Sequence, residues 1–409
     1  MNFLELNINT KRRLLILSII AVIVVIHTPP QRLHYWNADL PEIHFLRSIL
    51  FLLSILFFFS LVAKPIILFF SELNGNGILK KTTIGSAKIF AFVSLLVFPA
   101  TLGIMGVGYS YMSASPFTFV DISDQLYQRL LMPAAAFFLF ARGTGLYHVF
   151  SLLIAFGALF LLQLFFIKRN ISLTTLEYVS IATSSFLITQ FQSPGYTEPL
   201  SYIFILILLT MELDELSRVA LISLSLCAHE GSMLVMLVVS MIIFTRREVW
   251  WIIVIGGFYG FIWIASYGFD VPKILAVRSV GQMSTLEWIV KYPWRETLGI
   301  FFSLKLLWLF IFIALFRIKQ QRLNILLYTL PGIVLTLAAV DTSRMAGFSF
   351  VALLYSIIFI KQNNILKDNQ FKLACAINLC IPAVYVGLNS GIVYFDGVYQ
   401  LLQFGIFIK

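Results

Sequence analysis

The chain has 409 residues, of which 60% are hydrophobic, only 12% are charged and 40 are phenylalanine. A water-soluble fold of this composition would expose a large apolar surface, so a soluble protein is excluded. The net charge of +10 would indicate nucleic acid only in a soluble protein. Here the basic residues lie mostly in short loops, where they suit bilayer topology and anionic headgroups. We therefore expect the lipid bilayer as a partner and no nucleic acid.

The first apolar segment runs from Leu14 to Ile26, directly after Lys11, Arg12 and Arg13. No small-residue cleavage site follows it, so we expect an uncleaved first span. Later apolar runs approach or exceed the roughly 20 residues that a helix needs to cross hydrocarbon. They are predicted to be helices because lipid offers no partner for open backbone groups. These runs include Ser48 to Phe70, Ala87 to Gly108, Leu146 to Phe166 and Trp250 to Tyr267.

The predicted fold is therefore all-α, a polytopic transmembrane helical bundle with about eleven to thirteen spans and short re-entrant or interfacial helices. We expect a single transmembrane domain over residues 1–409. Its parts are additional N-terminal spans in 1–86, a core in 87–361, and a C-terminal span and tail in 362–409.

Lysine and arginine mark the cytoplasmic loops of a membrane protein. The basic loops of this chain all fall inside only if two segments are not ordinary spans. The segment Arg129 to Ala141 is too short to cross and suits a helix at or dipping into the outer face. The segment Val219 to Phe244 is interrupted at Ala228 to Ser232, and we predict two arms that meet near the outer side.

Two carboxylates stand three residues apart in the predicted outer loop, at Asp121 and Asp124, and Tyr127 and Arg129 follow them. On one face of a helical turn, one carboxylate could act as a general base while the other orients a metal ion or a sugar hydroxyl. The alternative is a solvated loop in which an aspartate caps the next helix. The acids would suit Mg²⁺ or Mn²⁺ better than zinc, and whether a metal binds stays open.

An ionisable pair, His229 and Glu230, interrupts an apolar segment. Because charge at membrane depth is costly, a functional or structural polar role is expected. Protonated His229 could bind a phosphate or relay a proton, or the pair could fix the helix break.

Two further segments of the outer side carry candidate substrate-binding residues. Arg344 would suit a bidentate clamp on phosphate, whereas a pair between Asp341 and Arg344 that closes a turn is the alternative. In a turn-rich stretch upstream, Glu198 could be catalytic, but we expect it to cap the following span.

The order of these features resembles the start of GT-C-fold glycosyltransferases. An acidic outer loop precedes the stretch Tyr127 to Pro133, which leads into a short apolar helix; a glycine-containing break and a long span ending in basic residues follow. The pair at His229 and Glu230 is similar to a polar residue at the turn of a GT-C hairpin. The segment from Asp341 is similar to a late outer Asp and Arg motif of such enzymes.

The resemblance implies an enzyme, a hexosyl or pentosyl transferase that uses a polyprenyl-phosphate-linked sugar donor and a surface glycan or lipid acceptor. It implies that Asp121 or Asp124 is the catalytic acidic residue, with Asp39 as a rival in the additional N-terminal region. Arg344 and His229 would hold the leaving phosphate. The active site would face outward from the bacterial cytoplasmic membrane.

Two other functions stay open. A surface-polysaccharide polymerase of the O-antigen type would use similar outer-face arginine and acidic residues. A transporter or flippase of lipid-linked substrates would have two similar halves and ionisable residues near the bilayer midplane.

Overall fold

The computed structural model describes residues 7–29, 40–97, 104–118, 128–184, 187–192, 194–270, 272, 285–338, 342–387 and 391–394. Within these residues the chain is helical except for one short β-hairpin and the connecting turns. The first helices are α1 (Ile8–His27), α2 (Pro41–Gly75), α3 (Ile78–Val97), α4 (Ile104–Met112), α5 (Leu131–Phe138), α6 (Gly143–Ile167), α7 (Thr175–Ala182) and α8 (Ile188–Gln192).

The remaining helices and the two strands follow in chain order. They are α9 (Glu198–Thr210), α10 (Glu215–Ala228), α11 (Ser232–Ile243), α12 (Arg246–Ser266), α13 (Thr285–Lys291), α14 (Pro293–Leu304), α15 (Trp308–Arg317), α16 (Arg322–Ala338), α17 (Thr342–Ala346), α18 (Phe350–Gln362), α19 (Asp368–Cys380), β1 (Val384–Gly387) and β2 (Gly391–Tyr394). Single 3₁₀ turns occupy Lys305–Leu307, Lys319–Gln321 and Gly347–Ser349.

Within the described residues, five helical segments are long and apolar enough to cross a bilayer, by length and composition. Two shorter apolar helices, α9 and α11, accompany them. Hydrocarbon is about 30 Å thick, so a spanning helix needs roughly 20 apolar residues. The chain is therefore a helical membrane protein. The five segments are Pro41–Gly75, Gly143–Ile167, Arg246–Ser266, Pro293–Arg317 and Thr342–Gln362.

The chain divides into two compact units, which are described separately. Unit 1 comprises Met1–Lys80, Leu102–Ile154 and Gly195–Ile274, and unit 2 comprises Lys81–Thr101, Ala155–Pro194 and Leu275–Lys409.

In unit 1, the starts of three helices lie together around one carboxylate. Glu215, in the first turn of α10, lies 3.5 Å from the Arg12 guanidinium of α1 and 3.0 Å from Arg247 Nε of α12. Trp251 Nε1 also donates to Glu215, at 3.1 Å. The basic starts of α1, α10 and α12 therefore lie together.

Helices α10 and α11 form the predicted pair of antiparallel arms. Near the start of α10, Arg218 pairs with Glu248, which lies just past the end of α11. Glu248 also accepts from the Thr245 backbone and side chain, both at 2.7 Å, in a capping box that starts α12. One end of the pair is thus held by charge, and the other end is the break at His229.

In unit 2, α14 and α17 pack closely because a glycine lies between them. A Cβ atom at Gly299 would come within 2.5 Å of Thr342 Cβ. Thr342 Oγ1 donates to Glu296 Oε2 at 2.7 Å, and Ser343 Oγ accepts from the Val386 N–H of β1 at 3.1 Å. Helix α14 therefore holds the segment that carries Arg344.

The end of unit 2 combines a helix with an antiparallel hairpin. Strand β1 pairs with β2 from Val384 opposite Tyr394 to Gly387 opposite Gly391. A two-stranded hairpin alone is marginally stable, so the bond from Val386 to Ser343 helps to fix it.

Candidate functional site

The break between α10 and α11 is confirmed, and local hydrogen bonds hold it. His229 has an extended backbone with φ −161° and ψ 124°. Its carbonyl accepts from the Ser232 N–H at 3.1 Å and from Ser232 Oγ at 2.7 Å. Its ring Nδ1 accepts from the Gly231 N–H at 3.0 Å. The chain therefore turns at a fixed point and presents Glu230 beside the buried imidazole.

Glu230 binds an arginine from a distant part of the chain. Arg129 Nε donates to Glu230 Oε2 at 2.9 Å, and Arg129 Nη2 donates to Oε1 at 2.8 Å. Their side chains are 8% and 17% exposed. Bidentate, charge-assisted pairs of this kind are short and directional. Two of the predicted substrate-binding residues thus form one buried ion pair.

Arg129 lies in the turn before α5, whose local sequence sets its position. Pro133 is tolerated in the first helical turn because its missing N–H would have no intrahelical acceptor there. The helix ends at Phe138, and Phe140 and Gly143 follow with φ of +58° and +76°. The short apolar helix and the break after it agree with the sequence-based prediction.

A second acid reaches the imidazole from α9. Glu198 Oε1 lies 3.3 Å from His229 Nε2, and the side chains are 2% and 1% exposed. The expectation that Glu198 caps the helix is corrected, because Thr197 is the N-cap residue and the Glu198 carboxylate faces His229. Glu198 still gains from the positive end of the helix dipole.

The hydrogen-bond pattern fixes the tautomer of His229. Because Nδ1 accepts from the Gly231 N–H, the neutral ring carries its proton on Nε2, the nitrogen that lies 3.3 Å from Glu198 Oε1. Protein atoms therefore lie close to both ring nitrogens. The expectation that His229 binds a phosphate stays a prediction.

Arg129, Glu198, His229 and Glu230 are named the buried polar cluster. It carries one permanent positive charge and two carboxylates. Unbalanced charge is costly in a low-dielectric interior, so a proton held between His229 and Glu198 would neutralise it.

Two tyrosines of unit 1 adjoin this cluster, and the sequence did not single them out. The hydroxyl of Tyr109, fully buried on α4, lies beside the Arg129 guanidinium. The hydroxyl of Tyr147, on α6, donates to the Gly195 carbonyl at 3.3 Å. In sequence, a tyrosine within an apolar helix looks like any core residue. Only the fold shows that these two tyrosines adjoin the cluster.

The other predicted residues lie elsewhere or outside the described residues. Arg344 is 3% exposed on α17 of unit 2. Asp39, Asp121, Asp124, Tyr127 and Asp341 lie outside the described residues. Among the described residues, no group of three or more His, Cys, Asp or Glu side chains could hold a metal ion.

Fold and site together define a helical membrane protein with a buried ionisable cluster at a helix break. Comparison with protein-family models, curated proteins and solved structures found no match.

Proposed function

We propose that the protein is a GT-C-like membrane glycosyltransferase that moves a sugar from a polyprenyl-phosphate donor to a glycan or lipid acceptor. The observation that carries the proposal is the buried polar cluster. Ionisable groups at membrane depth are expensive and typically functional. Arg129 belongs to the cluster and stands five positions after Asp124, at the end of the acidic segment. Such chemistry needs a buried, charged site but no nucleotide-binding loop.

The proposed topology has about eleven to thirteen spans in a bacterial cytoplasmic membrane, with the cluster toward the outer face. Support comes from the shared contact of Arg12 and Arg247 with Glu215. Positive residues mark the cytoplasmic side. Helix α10 rises about 21 Å over its 14 residues, from Glu215 to the break at His229. The cluster then lies near the opposite side from the basic ends.

In the proposed reaction, the acceptor oxygen forms a bond to the sugar anomeric carbon while the bond from that carbon to the donor phosphate breaks. The hydroxyl proton of the acceptor goes to Asp121 or Asp124, and the phosphate keeps the electron pair. The configuration at the anomeric carbon inverts. Whichever aspartate acts, its carboxylate must be ionised when the acceptor binds.

Arg129 has an atom suited to the donor phosphate. Its Nε and Nη2 bind Glu230, whereas Nη1 makes no hydrogen bond to a described residue. We assign Nη1 to the leaving phosphate. In this proposal His229 and Glu198 share a proton, which can pass toward the phosphate as its charge grows.

The test uses the full-length protein purified in detergent, a radiolabelled polyprenyl-phosphate sugar and an acceptor extract. Asp121→Asn, Asp124→Asn and Arg344→Ala are compared with Glu212→Gln, a matched change at an exposed acid. We expect one aspartate variant and the arginine variant to lose transfer while Glu212→Gln keeps it. Full transfer by all of the site variants would overturn the proposal.

Transport is the second candidate, because a proton shared inside a membrane protein also suits a proton-coupled transporter or flippase. Protein reconstituted in vesicles would then move a lipid-linked sugar across the bilayer without transferring the sugar.

A surface-polysaccharide polymerase differs in its donor: it would use a repeat-unit donor and leave a single-sugar donor intact. The same assay with both donors separates the two enzymes.

A further inference from the structure

Unit 1 contains a cavity of about 590 Å³ that is distinct from the buried polar cluster. The first three turns of α2, the turn after α4 and the end of α5 form its described walls, which include none of the four cluster residues. The volume falls in the range of about 300–1,000 Å³ typical of ligand sites. The cavity is therefore large enough for a ligand of its own.

The walls of the cavity are suited to hydrocarbon. The apolar residues Phe45, Ile49, Leu52, Phe117 and Phe138 are among those that line it. Phe45 is 67% exposed, so the cavity meets the apolar outer surface of α2. A bilayer lipid reaches such an opening directly.

A buried cation lies at the edge of this cavity. Arg47 is 6% exposed, and its guanidinium lies 3.2 Å from Nδ1 of His44, which lines the cavity. The same guanidinium donates to the Phe117 carbonyl at 3.3 Å and to the Val25 carbonyl at 3.4 Å. These bonds fix the positive charge in place. Cationic groups beside lipid-facing surfaces attract anionic headgroups.

The length of α2 indicates which end of the cavity lies in the headgroup region. Its 35 residues extend about 52 Å, longer than a hydrocarbon layer of about 30 Å. The start of α2 therefore suits the headgroup region, where His44 and Arg47 lie. Leu52 lies eight residues after His44, about 12 Å further along the helix axis into the hydrocarbon. A headgroup at His44 would send its chain along Ile49 and Leu52.

We propose that this cavity binds one hydrocarbon chain of a bilayer phospholipid whose anionic headgroup lies against His44, with the buried charge of Arg47 directly behind it. The occupant is a resident lipid and not the reacting donor, because the described walls of the cavity include none of the residues of the buried polar cluster. The proposal is independent of the sugar-transfer chemistry. It gives the protein a requirement for anionic lipid.

The test maps photocrosslinks on the full-length protein reconstituted in phosphatidylcholine vesicles. The probe is phosphatidylglycerol with a diazirine on its acyl chain, and the comparison probe is phosphatidylcholine with the same group. We expect the anionic probe to label the peptides that contain Leu52 and Phe138. Arg47→Gln should reduce this labelling to the level of the neutral probe.

Ala114→Phe fills the cavity and should cut labelling about tenfold, the effect of losing roughly 1.4 kcal/mol of binding. Ile67→Phe is the matched control, on an exposed site of α2 outside the cavity lining, and should leave labelling unchanged. Ser48→Leu fills the same cavity from α2, in case Ala114→Phe does not fold. Equal labelling by both probes, or labelling unaffected by either filling variant, would overturn the proposal.

Discussion

Arg129 and Glu230 are 101 residues apart in the chain, yet they form a buried bidentate ion pair with distances of 2.9 and 2.8 Å. The pair ties the start of α5 to the tip of the broken hairpin of α10 and α11. Two segments that are each apolar and short thereby acquire one fixed arrangement. The geometry of the buried polar cluster depends on this contact.

Glu230→Gln should destabilise the protein by about 1.5–3 kcal/mol, because glutamine keeps only one of the two oxygens that accept from the buried Arg129 guanidinium. The double variant Arg129→Met with Glu230→Met should cost clearly less than the sum of the two single changes. Unfolding in a mild detergent measures the native protein, Glu230→Gln, the two single methionine variants and the double variant. Arg247→Gln is the control, since Arg247 is 56% exposed in its pair with Glu215 and should cost less than about 1 kcal/mol. Additive single effects would show that the pair does not couple.

The sequence predicted those parts of the site that depend on local pattern. The polar interruption at His229 and the short segment after Arg129 both contradict an uninterrupted span, and both are confirmed as breaks. The pairing of Arg129 with Glu230 could not be predicted, because a charge in an apolar segment does not identify its distant partner. The turn before Glu198 indicated a cap, but tertiary contact with His229 decides where that carboxylate points.

Glu198→Gln tests whether the proposed sharing of a proton between Glu198 and His229 contributes to sugar transfer. Glutamine keeps the size of the side chain and can still accept from Nε2, so folding should persist. The transfer rate should fall about 10²-fold, the lower range for lost acid–base assistance, and its pH profile should change. His229→Ala should lose both activity and stability. If Glu198→Gln keeps the native rate and pH profile, the pair only fixes the helix break.

The two ends of α2 test the proposed orientation. Leu40 and Asn76 are exposed at its start and end. In a Cys380→Ser background, Leu40→Cys should react with a membrane-impermeant maleimide on intact cells, whereas Asn76→Cys should react only after permeabilisation. The reason is that Lys80 follows the second site and basic residues mark the cytoplasmic side. The reverse labelling pattern would place the buried polar cluster toward the cytoplasm.

Tyr109→Phe and Tyr147→Phe form a matched pair of fully buried hydroxyl deletions. The Tyr109 hydroxyl lies beside Arg129, the residue assigned to the donor phosphate, whereas the Tyr147 hydroxyl binds the Gly195 carbonyl. A hydrogen bond contributes about 0.5–1.5 kcal/mol, which corresponds to a factor of roughly 2 to 12 in an equilibrium constant. The Tyr109 hydroxyl donates no hydrogen bond to a described residue, so it can donate to a phosphate bound at Arg129. Tyr109→Phe should therefore raise the KM for the donor within that range, with kcat nearly unchanged. Tyr147→Phe should lower stability by a similar free energy and leave KM unaltered. Equal KM values for both variants would separate Arg129 from donor binding and leave it a purely structural partner of Glu230.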